Sequence, residues 1–383
     1  MTNINTFLVK GPQDPDPLYH GVVPPVYLTT TYHNARFGQP GAFGYSRGGN
    51  PTRAYLEALI AQLEEGKYGF AFASGMAANA AALAVLKAGD KLLVTRNVYG
   101  GTLTLLNNIY QNFGISYELI DTSDLAEVER RITPETKAVF IETPSNPMLD
   151  IADIAGLARL AKKRKLITIA DNTFMSPYLQ KPLALGADIV VESATKFLSG
   201  HSDVIAGVAA TNSPELAERI GTYLRAGGSI AQPFDSYLLI RGLKTLGLRI
   251  DRQVANTEKI IAFLGKQAAV DKIYYPGLPD HPGRETHARQ AKAPGSLLSF
   301  ELNEAYDIRR FFDAFKILTH GASLGSVETL LQNPASGSHR QFSPGQLAAA
   351  GIKPTLIRLS VGIEDPQDVI EDLRQAFQAA AKA

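Results

Sequence analysis

The chain has 383 residues, 45% of them hydrophobic and 20% charged, with 38 basic side chains against 37 acidic ones and no cysteine. That length suits two domains, or one large domain with an appendage, and the composition is globular, so disordered and fibrous classes drop out. The charge balance gives no field for gathering nucleic acid or an anionic membrane, and the lack of cysteine removes disulfides, thiolate metal sites and thiol nucleophiles.

In chain order, the first segment is unlike the rest. Residues 1–10 show neither the apolar stretch nor the cleavage pattern of a secretory leader, and no later run approaches the ~18 apolar residues a membrane helix needs. A cytoplasmic protein without a metal site is therefore expected. Pro12, Pro15, Pro17, Pro24, Pro25 and Pro40 forbid long regular elements, and Gly38, Gly41, Gly44, Gly48 and Gly49 loosen the chain further. Yet the segment carries Tyr19, Tyr27, Tyr32, Phe37, Phe43 and Tyr45, more aromatics than disordered chains usually hold. It reads as an arm, residues 1–48, laid on a neighbouring subunit.

Residues 49–242 alternate in a βα manner. Helical stretches at 55–65 and 77–87 are interleaved with short apolar runs at 91–95, 138–142, 166–170, 189–192 and 205–210, the pattern of buried strands in a mostly parallel sheet. The basic run Lys162, Lys163, Arg164 and Lys165 follows Leu157 and Leu160, and reads as a solvated helix end favoured by the dipole. From residue 243 the pattern changes: a long helix at 245–267, a strand at 297–302, a helix near 308–315, and a strand at 357–361 before a closing helix. That is a smaller C-terminal α+β domain.

Polar residues collect where the strands end, the place where open parallel sheets bind ligands. Glu142-Thr-Pro-Ser-Asn-Pro147, Asp171-Asn-Thr173 and Glu192-Ser-Ala-Thr-Lys196 close three successive runs, and Ser74-Gly75 opens a helix whose N–H groups suit an anion. Each has a plainer reading: Asp171 as a cap, Lys196 as a surface lysine, Ser74 as a helix start, and Arg358 as an ion-pair partner of Glu364 or Asp365. The coincidence of the first three at the strand ends of one sheet favours a site, while for Arg358 the residues alone leave both readings open.

The stretch Tyr45-Ser-Arg-Gly-Gly-Asn-Pro-Thr-Arg53, with Ser74-Gly-Met-Ala77, Tyr99-Gly-Gly-Thr102, the three strand ends and Arg358-Leu-Ser-Val-Gly-Ile-Glu364, resembles in order and spacing the Cys/Met-metabolism (trans-sulfuration) family of enzymes that use pyridoxal 5'-phosphate (PLP). The resemblance runs from about residue 20 to the end. It implies the α/β fold of PLP-dependent transferase type (fold type I), with a mostly parallel seven-stranded sheet and the smaller C-terminal domain, assembled as a homotetramer of active dimers. It implies that Lys196 carries PLP as a Schiff base, that Asp171 partners the pyridine nitrogen, and that Tyr99 stacks on the ring and helps move protons. Gly75, Met76, Ser193 and Thr195 would hold the phosphate, with Tyr45 and Arg47 reaching it from the neighbouring subunit. Arg358 would grip the substrate α-carboxylate, supported by Asn146 and Ser323.

The implied activity is a carbon–sulfur lyase acting on sulfur amino acids. Cystathionine cleavage is the first choice, with the β bond ahead of the γ bond. γ-Replacement on an acylated homoserine, methionine γ-elimination and, outside catalysis, a PLP-fold binding protein stay open. Where γ-specialised relatives place an arginine and a glutamate, this chain has Thr104 and Ala322. A distal pocket short of charge, with weak hold on cystathionine, is the expectation, unless His320, Arg36 or an arm residue substitutes.

Overall fold

In the computed structural model, which describes residues 3–340 and 342–382, seven strands form the first sheet. They are β1 (Tyr68–Phe72), β2 (Lys91–Thr95), β3 (Ser116–Ile120), β4 (Thr136–Glu142), β5 (Ile167–Asp171), β6 (Ile189–Ser193) and β7 (Gly207–Thr211), in the order β1-β7-β6-β5-β4-β2-β3. Strands β3, β2, β4, β5 and β6 run parallel, while β7 is antiparallel to both its neighbours. The expected mostly parallel sheet of seven strands is therefore present.

Both faces of this sheet are covered. From β2, Leu92 and Val94 pack with Ala78, Ala81, Ile220 and Leu224, whereas Leu93 joins Val139, Ile141, Leu157 and Ala161 on the opposite side. Burial on two faces removes the polar half of the strand alternation, which is why these strands read as unbroken apolar runs. Strands β1 and β3 are the sheet edges and are only partly buried, so Tyr-Gly-Phe-Ala-Phe and Ser-Tyr-Glu-Leu-Ile offered no such run. The run expected at 205–210 starts two residues late, and Ile205 is exposed.

Helix ends follow capping rather than apolar periodicity. The short helix α1 (Ile4–Lys10) fits ahead of Pro12, ends at Gly11 (φ 78°) and buries Leu8 beside Tyr55. The helix expected at 55–65 is α2 (Pro51–Leu63). Asn50 accepts from the N–H groups of Thr52 and Arg53, and Pro51 occupies the first turn, where its missing N–H costs nothing. The stretch expected at 77–87 is α3 (Gly75–Leu83), begun by Ser74, whose hydroxyl accepts from Ala77 N–H.

The second sheet contains β8 (Val270–Tyr274), β9 (Leu297–Leu302), β10 (Thr319–His320), β11 (Leu330–Gln332) and β12 (Leu356–Ser360), in the order β10-β11-β12-β9-β8. Only β10 and β11 pair in parallel. Helices Leu246–Leu264, Ile308–Asp313 and Pro366–Ala380 cover one face. Phe300, Phe311 and Phe377 meet there, with ring centroids 5.0 Å apart for Phe311 and Phe377. Among the described residues no helix is long and apolar enough to cross a membrane.

Candidate active site

The carboxyl ends of β4, β5 and β6 open into a cavity of about 770 Å³, roofed by segments of the second sheet. Glu142 ends β4 and Asp171 ends β5, side by side in the ladder. Glu142 is buried; its Oε2 accepts from Tyr99 N–H at 2.8 Å, and its own N–H donates to Thr95 Oγ1 at 3.1 Å. This carboxyl therefore anchors the segment that carries Tyr99. Burial pushes its pKa well up, and the neighbouring Asp171 adds to the effect.

Asp171 is half-buried, and desolvation raises its pKa, with hydrogen bonds from Thr173 and Asn79 offsetting part of the rise. Thr173 donates to Asp171 Oδ1 from its hydroxyl at 2.6 Å and from its N–H at 3.0 Å, and its Oγ1 accepts from Ser193 N–H at 2.8 Å. One threonine thus joins the ends of β5 and β6. The capping role and the place in the cavity belong to the same aspartate.

Beyond β6 the chain turns sharply at Lys196. Thr195 shares three hydrogen bonds with Ala206, two of them through its hydroxyl, and Arg249 donates to the carbonyls of Phe197 (2.8 Å) and Gly242 (3.0 Å). Gly200, at φ +71°, lies where a Cβ would come within 1.9 Å of the Arg249 guanidinium. Lys196 Nζ donates to Ser323 Oγ at 2.8 Å. Burial first, and then the charge of Arg358, lower its pKa to about 8.

Arg358 projects from β12 and is buried. Nη1 donates to Asn146 Oδ1 at 3.0 Å and Nη2 to Ser323 O at 2.9 Å, while Nε has no partner among the described residues. The plainer ion-pair reading of Arg358 is corrected here. Glu364 accepts instead from Thr329, and Asp365 caps the last helix.

Opposite these groups is the start of α3. Gly75 lies so near β6 that a Cβ would sit 2.7 Å from that of Ser193, and Gly207 faces Ser74 O, 2.1 Å from where its own Cβ would be. The glycines let the helix N-terminus approach the sheet edge, a positive site for an anion.

Ten of the twelve expected residues line this one cavity: Gly75, Met76, Tyr99, Asn146, Asp171, Ser193, Thr195, Lys196, Ser323 and Arg358. Tyr45 and Arg47 do not. Arg47 donates to Arg225 O and lies 5.7 Å from the Tyr45 ring centroid. Thr104 and Ala322 do line the cavity, but His320, which packs 4.4 Å from Phe312, and Arg36 do not.

Sequence reasoning gave no role to Asn79, Thr173, Gln332 or Arg340, which are also in the wall. The available signals were a lone polar residue in the alanine-rich α3 and a glutamine closing the apolar β11.

A family model described as Cys/Met metabolism PLP-dependent enzyme matches residues 5–378. The chain is similar to the cystathionine beta-lyase of Lactococcus lactis subsp. cremoris (strain MG1363), 45% identical over 378 residues, covering 99% of this chain and 100% of the relative. It is also similar to the cystathionine gamma-lyase of Bacillus subtilis (strain 168), 43% identical over 373 residues, covering 97% and 98%. The solved structure of cystathionine gamma-lyase from Lactobacillus plantarum complexed with L-serine matches it with a TM-score of 0.97 at 44% identity, over the whole of both chains.

Proposed function

The chain belongs to the Cys/Met metabolism family of PLP-dependent enzymes, and from that premise we propose that it is a carbon–sulfur lyase cleaving the β bond of cystathionine. The observation that carries this reading is the meeting of a partly neutral lysine amine, a pair of adjacent strand-end carboxyls and a buried arginine in one cavity. The balanced reaction takes cystathionine and water to homocysteine, pyruvate and ammonia.

The cavity fits PLP. The α3 N-terminus, with Ser193 and Thr195, suits the phosphate, Asp171 keeps one oxygen free of its Thr173 bonds for the ring nitrogen, and Lys196 Nζ suits the aldehyde. Bound PLP supplies an electron sink conjugated to the substrate α-carbon. Arg358 takes the α-carboxylate through its two-pronged guanidinium, held in place by Asn146 Oδ1 and Ser323 O, and so orients the Cα–H bond. Lys196 Nζ then removes the α-proton and returns a proton to the departing sulfur. Tyr99, half exposed at the cavity wall, would shield bound cofactor from bulk water.

The test is product identity from L-cystathionine. Pyruvate with homocysteine is expected. 2-Oxobutanoate with cysteine would move the assignment to the γ bond, and no 2-oxo acid from PLP-loaded protein would end the lyase reading.

The same reading includes a homotetramer of active dimers, an arm through Gly48 and a C-terminal domain from residue 243. Leu18, Tyr19, Val22, Leu28 and Phe37 on the arm are largely exposed in the single chain, an apolar surface that a second copy would cover. Tyr45 and Arg47 then serve the neighbour's phosphate. Arg47→Ala and Lys196→Ala proteins, each nearly inactive alone, are expected to regain activity on mixing, because a hybrid dimer has one site with both residues. Hybrids that form by mass and stay inactive would remove Arg47 from the site.

A further inference from the structure

The cavity holds a second arginine. Arg340 is exposed in the same wall as Arg358, Thr104 and Ala322. Among the described residues, no ion pair or side-chain hydrogen bond engages its guanidinium. Among the described lining residues the acidic ones are Glu142 and Asp171, at the strand ends, where Glu142 is engaged by Tyr99 N–H and Asp171 by Thr173. Nothing negative in the described wall answers Arg340.

Its backbone is well supported. Asn333 Nδ2 donates to Pro354 O and Leu356 O, each at 2.8 Å, and Asn333 Oδ1 accepts from Ser336 N–H and Oγ. His339, next to Arg340, is buried edge-on to Phe342 at 5.0 Å. The turn also lies close against Gln332, since a Cβ on Gly337 would stand 2.6 Å from Gln332 Nε2. Gln332 pairs with Arg358 across β11 and β12, lines the cavity, and is only 7% exposed, yet among the described residues its Oε1 has no donor. A buried acceptor left unpaired is costly, and a ligand donor removes the cost.

We propose that Arg340 and Gln332 form a second head-group subsite, in which Arg340 binds a carboxylate at the far end of the substrate and Gln332 accepts from the ammonium beside it. The inference rests on the lyase reading, with Arg358 on the α-carboxylate. It defines the preferred substrates as sulfur amino acids carrying an anionic, amino-acid-like tail. It also replaces the expectation of a charge-poor distal pocket: the charge absent at Thr104 and Ala322 is supplied from the turn after β11.

The experiment compares L-cystathionine with S-methyl-L-cysteine, which has the same α-head and no charged tail. Arg340→Ala is expected to raise KM for cystathionine about three- to tenfold, between the effect of an exposed ion pair and that of a desolvated charged hydrogen bond. kcat and the KM for S-methylcysteine should stay near their original values, and Arg340→Lys should restore part of the loss. Equal changes for both substrates, or none, would overturn the subsite. Calorimetry with 2,6-diaminopimelate, which has two head groups and no carbon–sulfur bond, against norleucine separates the two failures. A selective loss of diaminopimelate binding in Arg340→Ala upholds the subsite even if wild-type protein cleaves neither sulfur substrate. An unchanged ratio of affinities overturns it.

Discussion

Lys196→Ala is expected to cut cystathionine cleavage by roughly a thousandfold or more, since it removes the group that moves protons at the reacting carbon. The fold should survive, because among the described residues the only side-chain hydrogen bond lost is the one to Ser323 Oγ. Borohydride treatment of the yellow wild-type protein should fix cofactor mass on Lys196. Its pKa of about 8 also makes a pH prediction. Only the neutral amine captures an aldehyde, so capture of PLP by the apoprotein should speed up with pH and level off above about 8. A rate still climbing at pH 10 would show an ordinary, solvated lysine.

The linked stability effect has a definite sign. The folded-state pKa lies below the unfolded value, so the unfolded chain holds the proton more tightly and apoprotein stability rises with pH between about 8 and 10.5. The cost of burying the ammonium is fully present below pH 8 and gone above the unfolded pKa. Apo Lys196→Ala should therefore resist urea better than the wild-type apoprotein at pH 7, with the difference vanishing by about pH 11. A constant difference across that range would contradict the assignment.

Arg358→Ala should lower kcat/KM by about a hundredfold or more for every amino-acid substrate, because it removes a buried charge from a buried carboxylate partner. Asn146 Oδ1 and Ser323 O would lose their donor as well. Arg358→Lys should recover little, since an ammonium cannot reproduce the planar two-point contact. Visible absorption of bound PLP should remain, as Arg358 is not among the groups assigned to the cofactor. The signature differs from that of Arg340: loss at Arg358 is uniform across substrates, whereas loss at Arg340 follows the charged tail. A defect at Arg358 confined to cystathionine would exchange the two assignments.

The family, the sheet and ten residues of the cavity wall were legible because each left a local mark. Strands β2, β4, β5 and β6 lie inside the sheet, and two-sided burial makes their residues apolar without interruption. The chemistry stands at their carboxyl ends, so Glu142, Asp171 and Lys196 follow those runs in the text itself. Other elements left no such mark. Strands β1 and β3 are edges with mixed exposure, β10 has two residues and β11 three, too few for any periodicity. The helix start at Asn50 was misplaced because a cap outweighed the apolar pattern, whereas Ser74-Gly75 was legible as a helix start.

The sequence by itself determined which side chains are available to the chemistry: a lysine, two carboxyls, a tyrosine and an arginine, in an order that identifies the family. Only the tertiary structure decided which of them meet. Lys196 finds Ser323 across 127 positions, and Arg358 finds Asn146 across 212. Such pairings depend on strand order and on how the second sheet roofs the first, and neither leaves a pattern between neighbouring residues. The same holds for Arg340. Its type and number were plain from the start, but on an irregular turn with no period to read, its place in the cavity wall comes from Asn333 and Gln332 holding that turn against β12.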